Sequence, residues 1–191
     1  MEKIYIAFVD TPGIFAGILH RYLSQKYIHV VVSMDAGLEE AYSFGRRNPA
    51  IPIVAGFERE EKEKILAVYP NASYCRGEIV CTKEQKEEIQ EELRSMYERR
   101  FSYHYAVTSL PYILCHKAHD RENRFTCSSF LAYLFRRHGI VEFAKADSLV
   151  TPKDFYEWDG YETIFEGRLE EICHQQHIPY TYSSRPVFRI S

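Results

Sequence analysis

No stretch of this chain is apolar for long enough to cross a bilayer. Its first residues, MEKIYIAFVDTPG, lack a basic leader, an apolar run and a small-residue cleavage site. Both absences lead us to expect a cytoplasmic protein with no membrane span. The five cysteines, Cys75, Cys81, Cys115, Cys127 and Cys173, are odd in number and irregular in spacing, with no C-x-x-C pair. A disulfide framework is therefore not expected, and the thiols read as reduced. There is no basic excess: 24 Lys and Arg against 27 Asp and Glu give a net charge of −3, which argues against a nucleic-acid footprint. No glycine motif cradles a phosphate, since DTPGIFAG lacks both the Lys-Ser/Thr of a P-loop and the spacing of a dinucleotide turn. Repeats, low-complexity tracts and clear linkers are absent too. With 46% hydrophobic and 27% charged residues, the 191 residues predict one domain over 1–191 with a sizeable core.

Aromatic residues are plentiful, with 15 Tyr and 12 Phe, and most are expected to fill that core. The segment KIYIAFVD is rich in β-formers and predicts a buried strand. A helix is expected from Pro12, with Ile14, Ile18, Leu19, Tyr22 and Leu23 on its apolar face. IHVVVSMD predicts the second strand, turning at Ala36-Gly37 into a third strand within AGLEEAYSFG. The Pro-rich RRNPAIPIVAGFERE predicts a loop or an edge segment. KEKILAVYP fits a short strand or a short helix, and CRGEIVCT fits a strand. From Thr82, an N-cap, TKEQKEEIQEELRSMYERR predicts a helix with a stripe of Ile89, Leu93, Met96 and Tyr97 between charged faces. A short helix is expected at Pro152 to Trp158, then a strand in GYETIFEG and a short helix in RLEEICHQQ.

NRFTCSSFLAYLFRRHG predicts a further helix, with Thr126 as N-cap, Phe130, Leu131, Leu134 and Phe135 on one face, and Gly139 as the stop. Cys127 then lies in its first turn, pointing inward. The helix dipole favours a thiolate there, although an inward free cysteine is more often a small hydrophobe. A cysteine nucleophile needs a base within hydrogen-bond reach and a polar group to orient the base. His138 is on the same helix, about 16 Å further along, and cannot serve. His20 falls on a surface helix, His174 and His177 follow a short helix, and His116 and His119 lie in a loop. His29 is the best placed, on the less apolar face of a central strand with Val31 and Ser33.

The orienting group depends on the register of the hairpin. A two-residue turn sets Glu40 and Tyr42 on the face of His29, whereas a three-residue loop sets Ser43 opposite it. We prefer Glu40, with Tyr42 and Ser43 as alternatives. A zinc site is the rival chemistry, drawn from Cys115, His116, His119 and Asp120 in CHKAHD with His174 and His177 in HQQH. No second ligand pair with matching spacing supports it, so no metal is expected.

Three pieces, YIHVVVSMD with EEAYSFGRRNP, then RFTCSSFLAYLF, then SLVTPKDF with FEGRLEE, together resemble the circularly permuted NlpC-type papain-like cysteine hydrolases, the YiiX-like group. The wider likeness extends to enzymes of the lecithin:retinol acyltransferase type. In such permuted proteins the histidine strand precedes the cysteine helix, as His29 precedes Cys127. The resemblance implies an α+β, papain-like fold in which a curved antiparallel sheet carries packed helices. It also implies Cys127 as nucleophile, His29 as general base, and a third polar group on the strand after the histidine. The activity implied is a thiol-dependent hydrolase, of cysteine-peptidase or amidase type, or an acyltransferase. Its substrate would be a peptide, an amide or a lipid ester, and its chemistry needs no cofactor. The alternative is a non-catalytic binding module on the same scaffold, with Cys127 buried and inert.

Overall fold

Strict alternation of side chains builds the centre of the fold. In the computed structural model, which describes residues 1–10, 27–48, 51–106, 115, 117–119 and 122–175, β1 spans Glu2–Asp10. Its Ile4, Ile6 and Phe8 face one side of the sheet, and Ala7 and Val9 face the other, the two-residue period of an extended chain. The remaining strands are β2 (His29–Ser33), β3 (Ala41–Asn48), β4 (Ile51–Arg59), β5 (Ser73–Cys81), β6 (His104–Tyr105), β7 (Arg124–Phe125) and β8 (Glu162–Arg168). Six of them form one sheet in the order β4-β3-β2-β1-β5-β8, every neighbouring pair antiparallel. The short β6 and β7 pair in parallel.

Helices cover both faces, giving a mixed α+β architecture. On one face lie α2 (Lys83–Glu98) and α3 (Cys127–Arg137). Their Ile89, Leu93, Met96, Phe130, Leu131, Leu134 and Phe135 pack with Ile4, Ile6, Phe8, Val30, Val32, Tyr42 and Phe44 into the larger core. Each such aliphatic or aromatic side chain contributes about 1.5–3 kcal/mol on burial, so this face anchors α3. On the other face, α1 (Lys62–Val68) and α5 (Leu169–Gln175) close a smaller cluster. Ile65, Leu169 and Ile172 meet Ala7, Val9, Val31, Ala41 and Tyr74 there. The short α4 (Pro152–Tyr156) has Pro in its first turn, where the missing N–H costs nothing.

KEKILAVYP resolves as the helix α1, and the Pro-rich segment as β4, the outer strand beside β3. The helix expected from Pro12 lies outside the described residues. Neither expected hairpin register holds. β2 and β3 pair Val32 with Tyr42 and Ser33 with Ala41, so the connection runs over 34–40. Asp35 explains the longer loop: its carboxylate accepts from the N–H groups of Glu39 (3.0 Å) and Glu40 (2.7 Å). Leu38 takes a left-handed conformation, φ 59, and the Lys62 ammonium donates to Gly37 O at 2.7 Å. Among the described residues, no helix is long and apolar enough to cross a membrane.

Candidate active site

The start of α3 is fixed by a local device. Thr126 is extended (φ −85, ψ 170) and its hydroxyl accepts from Ser129 N–H at 3.2 Å, while Thr126 N–H donates to Ser129 Oγ at 2.8 Å. This reciprocal capping box places Cys127 at the first helical position. Its side chain is only 4% exposed, as the inward-facing stripe predicts. The first N–H groups of a helix have no partner within it, and those of Ser128 and of Val30 in β2 favour the ionised form of the sulfur. Ile28 O lies 4.0 Å from Cys127 Sγ.

His29 comes to the same sulfur from the other side of the sheet. By alternation it shares the face of Val31, in the smaller cluster, whereas α3 packs on the face of Val30 and Val32. The two groups meet because β2 and β3 have parted. Those strands pair only at 32/42 and 33/41, while β2 stays on β1 as far as His29, opposite Val9. The sulfur lies against the freed backbone of residues 28–30, and the ring bends towards β3. There it passes over Gly45, where a Cβ would lie 3.2 Å from His29 Cε1 and 3.1 Å from Ser43 Oγ.

Glu60, immediately after β4, completes the group. Its Oε1 is 3.1 Å from His29 Nε2 and also accepts a short hydrogen bond from the Ser43 hydroxyl. Glu60 N–H donates to Ala41 O at 2.8 Å, which holds this carboxylate against β3. With Nε2 engaged by Glu60, Nδ1 is the ring nitrogen left for Cys127. The imidazole keeps 25% of its side-chain surface exposed and Glu60 keeps 20%, so the pair borders solvent and is not sealed in the core.

Glu40, the expected orienting carboxylate, is placed elsewhere. Arg94 holds it at 2.7 and 3.0 Å, Gln90 at 2.6 Å and the Tyr42 hydroxyl at 3.3 Å. It therefore ties β3 to α2, and Tyr42 lies in the larger core. The observed register explains this correction, because it turns Ser43, not Glu40 or Tyr42, towards His29. Ser43 contributes as the donor to Glu60. Sequence reasoning missed Glu60 and Gly45. The available signal was a carboxylate closing the alternating run FERE, beside a strand whose sequence reads YSFG. Of the zinc candidates, His116, Asp120 and His177 lie outside the described residues. Among the described residues no group of three His, Cys, Asp or Glu side chains could hold a metal ion.

The electrostatics follow from burial opposed by pairing. Burial alone would lower the His29 pKa, but hydrogen bonding to Cys127 and Glu60, and their charges, raise it to about 10. Burial would raise that of Cys127, but the His29 imidazolium and the N–H groups of Val30 and Ser128 bring it below the ordinary thiol value. Glu60 is likewise held below its ordinary value despite burial, by His29, Ser43 and the charge of Arg46. The ring of His29 is thus protonated near neutrality, and beside it Cys127 ionises more readily than an ordinary thiol. Such an array supplies a nucleophile and a proton donor at adjacent atoms. No family model, curated protein or solved structure matches the chain.

Proposed function

We propose that the chain is a thiol-dependent hydrolase or acyltransferase acting on an amide or ester bond, with Cys127, His29 and Glu60 as its catalytic group. The observation that carries this reading is the position of the His29 ring between a thiol at a helix N-terminus and the Glu60 carboxylate. The Cys127 thiolate attacks the carbonyl carbon, a C–S bond forms, and the carbonyl electron pair moves onto oxygen. The Cys127 N–H, at the first position of α3, supplies a hydrogen-bond donor to that oxygen. Collapse expels the leaving nitrogen or oxygen, which takes the proton from His29 Nδ1. Water, or an acceptor hydroxyl or amine, then gives its proton to His29 and attacks the thioester. Breaking the C–S bond restores the thiolate. Glu60 keeps the ring in the orientation and protonation state that this exchange needs.

The order of His29 before Cys127, the antiparallel sheet and the cysteine at a helix start fit a circularly permuted NlpC-type papain-like enzyme of the YiiX-like group, working in the cytoplasm. A carboxylate immediately after β4, one strand beyond the expected position, departs from the pattern that resemblance implied. The competing reading, a binding module, draws on the 4% exposure of Cys127. Thiol alkylation by iodoacetamide as a function of pH separates the two. A catalytic group gives rapid labelling of Cys127 well below pH ~8.5, the ordinary thiol value. Slow labelling that follows that ordinary value supports the binding module.

A further inference from the structure

The start of β2 carries the base, yet β3 does not support it there. β2 pairs with β1 from His29 to Ser33, whereas β3 joins it only at Val32 and Ser33. The freed stretch holds His29, and its Ile28 O lies 4.0 Å from Cys127 Sγ. Tyr27, the residue just before, supplies a second anchor. Its hydroxyl donates to Glu166 Oε1 at 2.8 Å, and Glu166 belongs to β8, the third strand from β2 in the sheet. The bond spans one row of paired residues: Val30 stands opposite Phe8, Phe8 opposite Cys75, and Cys75 opposite Glu166. Directly paired residues share a face, here the face of the larger core, to which Val30, Phe8, Cys75 and Tyr27 belong. The Tyr27 ring lies 6.0 Å from the Phe8 ring and 5.8 Å from that of Tyr156. With 5% of its surface exposed, it is fixed along its length as well as at its hydroxyl. Burial and the hydrogen bond to Glu166 hold the phenol protonated, well above the ordinary tyrosine range, so it stays a donor at every working pH.

We propose that Tyr27 and Glu166 are positioning residues: their hydrogen bond fixes the entry to β2 so that the His29 ring stays on the Cys127 sulfur. This rests on the reading of Cys127 and His29 as a catalytic pair. Neither Tyr27 nor Glu166 touches the reacting atoms. They act through the backbone of residues 28–30, for which β1 is the one pairing strand among the described residues. A ring and a sulfur contributed by separate elements pair well only while both elements hold still. A misplacement of about 1 Å at such a site costs about 10²-fold in rate.

The test follows alkylation by iodoacetamide against pH in the full chain, read at the peptide that carries Cys127. Tyr27→Phe keeps the ring and removes the hydroxyl, and Glu166→Ala removes the acceptor. We expect each to slow the reaction at pH 7 by about three- to tenfold, the factor to which the net contribution of one hydrogen bond corresponds. The midpoint of the profile should move up towards the ordinary thiol value of about 8.5, while the alkaline plateau, where every variant is fully ionised, stays within about twofold of wild type. The double variant should lose no more than either single one, because both remove the same bond. Glu166→Gln, whose amide oxygen still accepts, should recover most of the rate. A purely structural role has the opposite sign, since loosening the fold exposes a buried thiol and speeds labelling at every pH. With a wild-type midpoint well below 8.5, faster labelling in Tyr27→Phe, an unmoved midpoint, or losses that add in the double variant overturn the positioning role alone. A wild-type midpoint at the ordinary thiol value overturns the catalytic reading, and the positioning role with it.

Discussion

His29 Nε2 and Glu60 Oε1 lie 3.1 Å apart although His29 opens β2 and Glu60 follows β4, strands that are not neighbours. β3 runs between β2 and β4, and the imidazole crosses it at Gly45, the position that offers no side chain. The orientation of the base is thus set by three strands at once: β2 carries the ring, β3 yields it space and a supporting serine, and β4 delivers the carboxylate.

Gly45→Ala should therefore disturb the site more than an alanine in a strand usually does. The new Cβ would meet His29 Cε1 at 3.2 Å and Ser43 Oγ at 3.1 Å, tighter than ordinary contact. We expect the ring to be displaced and Cys127 alkylation at neutral pH to slow by about tenfold, towards the rate of an ordinary thiol. The stability loss should be about 1–3 kcal/mol, as for other overpacked sites. Thermal unfolding and alkylation rates check both.

His29→Ala removes the group that keeps the sulfur ionised. With an ordinary thiol pKa near 8.5, only about 3% of the cysteine is thiolate at pH 7. Alkylation of Cys127 should fall at least tenfold at that pH and converge with wild type above about pH 9. Acyl transfer from an activated ester should fall by about 10²–10⁴-fold, the usual value of a positioned acid–base. Equal alkylation rates in the two proteins at pH 7 would contradict the pairing.

Glu60→Gln keeps the hydrogen bond and removes the charge. The His29 pKa, raised to about 10 in part by that carboxylate, should drop, so the alkaline limit of acyl transfer moves to lower pH. Glu40→Gln should leave that limit where it is, because Arg94 and Gln90, not His29, hold Glu40. Its effect should be a small loss of stability where α2 meets β3. Comparing the two pH–rate profiles assigns the orienting role to one carboxylate or the other.

The raised pKa of His29 also fixes the sign of a stability effect. A group whose folded pKa exceeds its unfolded value stabilises the fold fully below the unfolded value, here 6.5, and loses that contribution as pH rises through about 10. The difference in melting temperature between wild type and His29→Ala should accordingly shrink between those limits. A constant difference across that range would mean that the ring is uncharged in the folded protein.

Much of the scaffold was legible because its signals are local. The strand β1, the capped helix α2 and the Thr126–Gly139 punctuation of α3 each follow from residues within a few positions of one another. Cys127 and His29 could be named for the same reason, one from a helix cap and the other from strand alternation. Glu60 could not, because its place depends on a register between β3 and β4 that the prolines in RRNPAIPIVAGFERE disguised as loop. The hairpin register was hidden as well. It is set by the Asp35 carboxylate capping two N–H groups and by Leu38 in a left-handed conformation, neither of which a turn centred on Ala36-Gly37 suggests. Parting of β2 from β3, which pair only at 32/42 and 33/41, is likewise a long-range event that no local signal announces.

The protonation state of the His29 ring is the most direct test of the whole account. Ring-nitrogen NMR of the reduced protein, titrated from neutral to alkaline pH, should show His29 as an imidazolium at pH 7 that loses its proton near pH 10, and Cys127→Ala should lower that midpoint. A ring that titrates near 6.5, with the same midpoint in Cys127→Ala, would mean that no thiolate–imidazolium pair exists, and the catalytic assignment would be wrong.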